Sequence, residues 1–313
     1  MKTLIKNKSS FSKNDNLVIL YKKQYHLNNL NLSKEELNYI KNRIKNNKVL
    51  NIINQYNRFI IIVAPNENSD LNKYFESLRN TGSKIQDMLK EELSLVIINQ
   101  KNNYQEILAL AEGLALANYS FLKHKSAAKK NNLTTIYMHN IDRKYITELQ
   151  NIINAVYLTK NLINEPFSHL KATDLSNEAK KIGEKHGLKV TVFNKRKIKS
   201  LKMGGLLAVN QGSIDEPTFT IMEWKPKKAK NKNPIVLVGK GIVYDTGGLS
   251  LKSTANSMDL MKIDMGGAGT VMGAMCAIAS NKVDRYVIAL LPATDNRPSG
   301  NAYAPGDVIT MYD

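Results

Sequence analysis

Six charged side chains occur close together in the second half of the chain, among paired glycines. They are Lys240, Asp245, Lys252, Asp259, Lys262 and Asp264. Carboxylate oxygens bind hard or borderline divalent metal ions, and glycine allows the backbone to approach such an ion closely. A lysine ammonium cannot bind a metal, but burial beside other cations can lower a lysine pKa until the side chain offers a neutral amine. The segment therefore favours metal chemistry.

Two aspartates and two lysines carry this hypothesis. Asp245 and Asp264 each stand near a glycine pair, so both carboxylates are candidate metal ligands. Lys240 is the candidate neutral ligand. Lys252 is the candidate for a retained positive charge, which would stabilise the negative charge that develops on a carbonyl oxygen during hydrolysis. The alternative is a set of solvated surface turns, because runs of charges usually lie on solvated faces.

A short apolar strand must position these residues. Ile235–Val238 is a continuous run bounded by Pro234 and Gly239, which predicts a strand buried on both faces of a parallel sheet. The charged residues begin directly after it, where an open α/β sheet places its ligand crevice. A second buried strand is predicted at 287–291, and the Pro/Gly-rich loop 297–307 after it is expected at the same sheet edge.

The charged residues belong to a longer pattern that resembles the leucyl aminopeptidase (cytosol aminopeptidase) family. The metal-binding core of that family has the form VGKGxxFDxGGxSxK, followed by MDxMxxDMGGA. This chain has both forms, at 238–252 and 258–268, with Tyr244 where phenylalanine is usual. The resemblance extends to three further segments, which are 111–125, 161–213 and 290–310.

The resemblance implies a role for each matching residue. Lys240 and Asp264 would bind one metal ion, Asp245 would bridge two, and Lys252 would be the catalytic lysine that polarises the scissile carbonyl. Met258 would line the pocket for the substrate side chain. The implied cofactors are two divalent ions, manganese or zinc, and a bicarbonate ion as general base. The implied substrate-binding set is Lys240, Asp245, Lys252, Met258 and Asp264.

The resemblance also implies an activity and an assembly. The expected function is a two-metal-dependent aminopeptidase that releases leucine-like N-terminal residues from peptide substrates, in a homohexamer. In the family, an NTDAEGR motif supplies an aspartate, a glutamate and an arginine that complete the site, and this sequence contains no such motif. We therefore expect a truncated catalytic domain. The alternative is a catalytically inactive remnant or an assembly subunit of the same family.

The alternation of apolar and polar segments predicts an α/β protein with two domains. A small macro-like N-terminal α/β domain is expected at 1–145, a connecting helix at 146–165, and a C-terminally truncated metallopeptidase catalytic domain with a mixed or parallel sheet at 166–313. Predicted helices span 71–81, 104–121, 145–162 and 171–186. Predicted strands span 59–65, 93–98, 189–193, 206–209 and 218–224.

Composition restricts the remaining possibilities. The net charge of +18 suits nucleic acid, but no nucleic-acid-binding motif accompanies it. A basic nucleic-acid-binding protein is therefore the weaker alternative. The single cysteine, Cys276, is expected to be a buried thiol in a helix of small residues. We predict a cytoplasmic protein without a membrane partner, because no signal-peptide segment and no long apolar run occurs.

Overall fold

The chain divides into two compact units, Met1–Asn154 and Ala155–Asp313. The computed structural model describes residues 3–22, 27, 30–66, 68–89, 93–99, 103–127, 132–299, 301–302 and 311–312. Within these residues each unit contains a sheet with helices, so the predicted α/β fold class is confirmed. The boundary between the units falls inside the long helix α4, Arg143–Asn164.

The first unit contains a six-stranded sheet in the order β1-β6-β5-β2-β4-β3. All neighbouring strands are parallel except β3 and β4. The strands are β1 (Leu4–Lys8), β2 (Asn16–Leu20), β3 (Leu50–Asn54), β4 (Phe59–Val63), β5 (Leu93–Asn99) and β6 (Leu133–His139). The helices that precede α4 are α1 (Lys34–Lys45), α2 (Leu71–Met88) and α3 (Tyr104–Ala117).

Apolar central strands explain the core of this unit. Ile60 and Ile62 of β4 are fully buried, as are Leu17 of β2 and Ile97 of β5. Such continuous β-branched runs suit parallel strands that are covered on both faces. The predicted strands 59–65 and 93–98 are confirmed, and the helix predicted at 71–81 continues to the end of α2.

The second unit contains a five-stranded mixed sheet. β9 and β10 each pair with β11 in parallel. β8 pairs with β11 antiparallel, and β7 pairs with β8 antiparallel. The strands are β7 (Lys189–Phe193), β8 (Thr218–Trp224), β9 (Ile235–Val238), β10 (Gly241–Asp245) and β11 (Val287–Asn296). The helices after α4 are α5 (Ala172–His186), α6 (Lys195–Ser200), α7 (Gly204–Asn210) and α8 (Gly266–Ser280).

Helix α8 supplies much of the core of the second unit. Ala268, Met272 and Met275 are fully buried, and Cys276 is buried as expected. The segment Met258–Ser280, which includes α8, has the length and apolar composition of a membrane-crossing helix. The core helix of a globular unit has the same composition, and the burial of α8 gives it that role here.

Two predictions for the second unit are wrong. The sequence predicts a strand at 206–209, but these residues lie in the helix α7. A run of four apolar residues has no periodicity that separates helix from strand, and leucine and alanine favour the helix. Ile235–Val238 is the predicted strand β9, but Ile235, Val236 and Val238 are 48%, 49% and 67% exposed. Among the described residues β9 pairs with β11 alone, so its outer edge is uncovered.

Candidate metal centre

The connection between β9 and β10 brings Lys240 against the start of α8. Gly239 N donates to Leu290 O at 3.0 Å, and Ala268 N, in the first turn of α8, donates to Lys240 O at 2.9 Å. A Cβ atom on Gly239 would lie 2.7 Å from the Cα atom of Ala268. Glycine is therefore required for this approach, and the lysine carbonyl satisfies one of the free N–H groups at the helix start.

Lys240 pairs with Asp264, the residue that ends a 3₁₀ helix. We call Met258–Ile263 the site 3₁₀ helix. Lys240 Nζ lies 2.9 Å from Asp264 Oδ1. The second carboxylate oxygen, Asp264 Oδ2, is buried and has no hydrogen-bond partner among the residues that the structure describes. A buried carboxylate oxygen without a partner is unfavourable, and a bound cation would satisfy it.

Asp245, at the carboxyl end of β10, is held from three sides. Its Oδ2 accepts a hydrogen bond from Lys252 Nζ at 2.6 Å. Its Oδ1 accepts from Gly247 N at 2.9 Å and from Asn296 Nδ2 at 2.8 Å. Burial alone would raise the pKa of the Asp245 carboxyl, but the hydrogen bonds from Lys252, Gly247 and Asn296 outweigh it and lower the pKa. The carboxylate is thus held in its charged form.

The loop after β10 returns Lys252 to this carboxylate. Lys252 N donates to Thr246 O at 2.9 Å and closes the loop. Gly248, inside the loop, has a φ of +64°, in the left-handed region that favours glycine. Lys252 Nζ also lies 3.0 Å from Met261 Sδ in the site 3₁₀ helix. One ammonium group therefore connects the end of β10 with the segment that leads to Asp264.

The predicted pocket residue Met258 begins the site 3₁₀ helix and is half-buried. Its carbonyl oxygen accepts a hydrogen bond from Tyr244 Oη at 3.1 Å. The Tyr244 ring packs on the ring of Phe167, with centroids 5.6 Å apart. The tyrosine hydroxyl, an addition to the pattern in which phenylalanine is usual, thereby ties β10 to the segment that carries Met258.

The structure brings together only part of the charged set. Lys240 and Asp264 form one pair, Asp245 and Lys252 form another, and Met261 contacts the second pair. Two further members lie elsewhere: Asp259 is exposed, and Lys262 Nζ donates to Asn164 O at 2.9 Å. The predicted loop 297–307 is described only at 297–299 and 301–302, and its other residues lie outside the described part of the chain.

One polar residue in contact with the cluster was absent from the sequence-based set. Asn296, the last residue of β11, donates to Asp245. The sequence contained a usable signal, because the polar run 294–296 comes two residues after the predicted strand 287–291. Polar residues at the carboxyl ends of neighbouring parallel strands meet at one sheet edge.

The donor set fits divalent cations. It offers two carboxylates, of which one has a buried oxygen without a partner among the described residues, and a lysine that can ligate once it is neutral. The neighbouring lysine, Lys252, forms an ion pair with Asp245 at 2.6 Å. Such a set can bind metal and stabilise a developing negative charge.

Solved structures resemble this chain in fold. The bottromycin maturation enzyme BotP in complex with Mn has a TM-score of 0.77 at 21% identity, over 95% of this chain and 63% of that chain. A tomato leucine aminopeptidase mutant also has a TM-score of 0.77 at 21% identity, over 99% of this chain and 66% of that chain. At these identities the likeness shows the fold alone.

Sequence comparisons identify the family. The probable cytosol aminopeptidase of Chloroherpeton thalassium is 50% identical over 161 residues, which are 51% of this chain and 31% of the relative. That of Clostridium tetani is 35% identical over 263 residues, 81% of this chain and 54% of the relative. The chain thus spans about half the length of these curated relatives, or less. Residues 157–313 match the catalytic domain of the cytosol aminopeptidase family. The chain belongs to the cytosol aminopeptidase family.

Proposed function

We propose that this chain forms the metal-binding part of an aminopeptidase that releases leucine-like N-terminal residues from peptides. The observation that carries the proposal is the buried oxygen of Asp264 without a partner among the described residues, next to Lys240. Asp264 follows Met261, which contacts Lys252 of the Asp245–Lys252 pair, by three positions. Family membership supports the same function. One structural neighbour, the bottromycin maturation enzyme BotP, was solved in complex with Mn, which supports a divalent ion as cofactor.

Three side chains would hold the ions. These are Lys240, Asp245 and Asp264, and two divalent ions bound there, manganese or zinc, would activate water and polarise the substrate carbonyl. An ammonium group has no free lone pair, so Lys240 can act as a ligand only after it loses its proton. Because metal binding then releases a proton, the metal affinity of the chain rises with pH.

Lys252 would act on the substrate rather than on the metal. Its ammonium is held by Asp245 Oδ2 at 2.6 Å and by Met261 Sδ at 3.0 Å, so its position is set before substrate arrives. A positive charge fixed beside the reacting carbonyl stabilises the oxygen as it becomes negative. Met258 would contact the substrate side chain, at a position held by the Tyr244 hydroxyl.

Several finer features belong to the same proposal. A bicarbonate ion as general base, a homohexamer and domains at 1–145 and 166–313 joined by a helix at 146–165 remain predictions. The word cytosol in the names of the relatives supports a cytoplasmic location. The competing proposal is a catalytically inactive form, or an assembly subunit, of the same family.

A metal titration tests the proposal. Calorimetric titration of the 313-residue chain with Mn²⁺ should give binding that Asp264→Asn weakens by more than about 100-fold, beyond the usual effect of an outer-shell substitution. The matched control is Asp15→Asn, which removes a lysine-paired aspartate from the first unit. This control should leave Mn²⁺ affinity unchanged. Equal affinity in wild type and Asp264→Asn would contradict the proposed site.

Hydrolysis of leucine p-nitroanilide with added Mn²⁺ separates the active and inactive forms of the proposal. Turnover that is lost in Asp264→Asn and kept in Asp15→Asn supports an aminopeptidase. Metal binding without turnover, in protein with a native circular dichroism spectrum, supports the inactive form.

A further inference from the structure

Asn296 occupies a buried position opposite a proposed metal ligand. It is the last residue of β11 and pairs with Asp245 in the parallel ladder between β10 and β11. Asn296 is 7% exposed. A polar side chain at such a position forms its hydrogen bonds with groups inside the protein, and these groups indicate which part of the structure it stabilises.

Asn296 bonds to the turn that carries Asp245. Its main-chain oxygen accepts from Thr246 N at 2.9 Å and from Thr246 Oγ1 at 2.8 Å. Its side-chain Nδ2 donates to Asp245 Oδ1 at 2.8 Å. An ionised carboxylate can only accept hydrogen bonds, so the nitrogen of the amide, rather than its oxygen, must face Asp245.

The other end of the amide gains no hydrogen bond. Asn296 Oδ1 is buried without a hydrogen-bond partner among the described residues. A Cβ atom on Gly248 would lie 2.9 Å from this oxygen, so the amide packs directly against that glycine. A buried acceptor without a partner is unfavourable. The orientation is therefore maintained for the bond that the nitrogen makes to Asp245.

The residues on either side of Asn296 fix the end of β11. Asp295 is 1% exposed, accepts from Ser213 Oγ at 2.7 Å and pairs with Arg297 Nε at 2.5 Å. Arg297 also donates to Asp215 Oδ2 at 2.8 Å. Because successive strand residues point to opposite faces, this network holds the strand end on one side while Asn296 reaches Asp245 on the other.

We infer that Asn296 is a positioning residue that fixes the Asp245 carboxylate in the orientation required for metal binding. The inference rests on the proposed function, because it takes Asp245 as a metal ligand. Gly247 N and Asn296 Nδ2 both bind Oδ1, so the amide and the turn together define the plane of the carboxylate. Hydrogen bonds of this kind orient ligating carboxylates and tune their affinity for metal.

Hydrogen exchange in the metal-free chain tests the positioning without any metal. In Asn296→Ala the Gly247 amide, which donates to Asp245, should exchange about tenfold faster, the effect of weakening one hydrogen bond to a charged group. The Thr246 amide is the internal control, because its acceptor is the main-chain oxygen of Asn296, which the substitution keeps. A purely structural loss would accelerate both amides equally. Equal acceleration, or none, overturns the inference.

Titration with Mn²⁺ tests the consequence for metal binding. Asn296→Ala should weaken Mn²⁺ binding about 10–100-fold, as loss of an outer-shell partner does. Bound Co²⁺ should also show a changed visible absorption spectrum, which reports ligand geometry and is insensitive to overall stability. Unchanged Mn²⁺ affinity and an unchanged Co²⁺ spectrum overturn the role of Asn296 in metal binding.

The two measurements separate the inference from the proposed function. If the wild-type chain binds no Mn²⁺ but the Gly247 amide still loses its protection in Asn296→Ala, the metal proposal fails and the positioning of Asp245 by Asn296 stands. If wild type binds Mn²⁺ and Gly247 exchange does not respond, the metal proposal stands and Asn296 has no positioning role.

Discussion

Two lysine–aspartate pairs, one in each unit, are built almost alike. Lys8 Nζ donates to Asp15, and Lys252 Nζ donates to Asp245, both at 2.6 Å and both between residues seven positions apart. The exposed side-chain fractions are 29% and 20% in the first pair, and 29% and 16% in the second. In both pairs the pKa of the aspartate lies below its ordinary value.

The pairs differ in the partners around them. Asp15 is bonded within its own turn, to Lys8 and to the main-chain and side-chain donors of Ser12. Asp245 is also bonded to Asn296, 51 positions away. Each lysine has a further contact, Lys8 with the Tyr137 ring and Lys252 with Met261 Sδ. The geometry of an ion pair therefore does not identify a functional site. What distinguishes the Asp245 carboxylate is a hydrogen bond from the neighbouring strand β11, which depends on the tertiary fold.

The largest expected difference between the two pairs concerns catalysis. In protein that hydrolyses leucine p-nitroanilide, Lys252→Met should lower kcat by about 100–1000-fold, the cost of removing one stabilising group at a developing oxyanion. Lys8→Met should leave kcat within about twofold, because a surface ion pair contributes little. Steady-state kinetics on both variants gives the comparison.

A raised KM with an unchanged kcat in Lys252→Met would contradict the role of Lys252 in stabilising charge during the reaction. An equal loss of kcat in both variants would mean that the two pairs differ only in location.

A second comparison concerns the rigidity of the turn that holds Asp245. Gly248 and Gly187 have similar positive φ values, +64° and +71°. A Cβ atom on Gly248 would lie 2.9 Å from Asn296 Oδ1, whereas one on Gly187 meets nothing within 4 Å. Gly248→Ala should therefore lower the free energy of unfolding by about 2–3 kcal/mol, and Gly187→Ala by about 1 kcal/mol.

Urea unfolding of both alanine variants measures this difference. Equal destabilisation would show that backbone strain alone sets both costs and that the Asn296 amide moves aside freely.

Much of the second unit was predictable from sequence because its pattern is local. The strand β9 and the helix α8 follow from apolar runs and small residues, and the residues of the pairs Lys240–Asp264 and Lys252–Asp245 all lie within 238–268. The outer edge of β9 was not predictable, because burial depends on which elements cover a strand. A β-branched run such as Ile235–Val238 indicates a strand without saying how many neighbours it has.

The remaining differences have the same origin. The four apolar residues 206–209 are too few to show a periodicity, and they lie in the helix α7, in line with the helix preference of leucine and alanine. The role proposed for Asn296 depends on the register between β10 and β11, which sequence alone does not supply. Local pattern thus predicts which residues are chemically able to act, and tertiary register decides which of them meet.

The smallest expected difference between the two pairs concerns how Asp15 and Asp245 stabilise the protein as pH falls. Burial raises the pKa of each carboxyl, but hydrogen bonds outweigh that effect. At Asp15 the hydrogen bonds come from Lys8 and Ser12. At Asp245 they come from Lys252, Gly247 and Asn296. A lowered folded-state pKa stabilises the protein above the unfolded value of about 3.9, and this contribution is lost as pH falls through the folded value.

Replacing either aspartate with asparagine should therefore reduce the free energy of unfolding at pH 7, by about 1 kcal/mol or less for Asp15→Asn and somewhat more for Asp245→Asn. Each deficit should shrink as pH falls below about 4, because the wild-type carboxylate then becomes neutral too. Urea unfolding of the metal-free proteins from about pH 7 to about pH 2.5 measures both curves. Each aspartate accepts three hydrogen bonds, but one of those to Asp245 comes from the buried Asn296 on the neighbouring strand. The deficit of Asp245→Asn should therefore exceed that of Asp15→Asn; equal deficits would show that the Asn296 bond adds orientation to the carboxylate without adding stability.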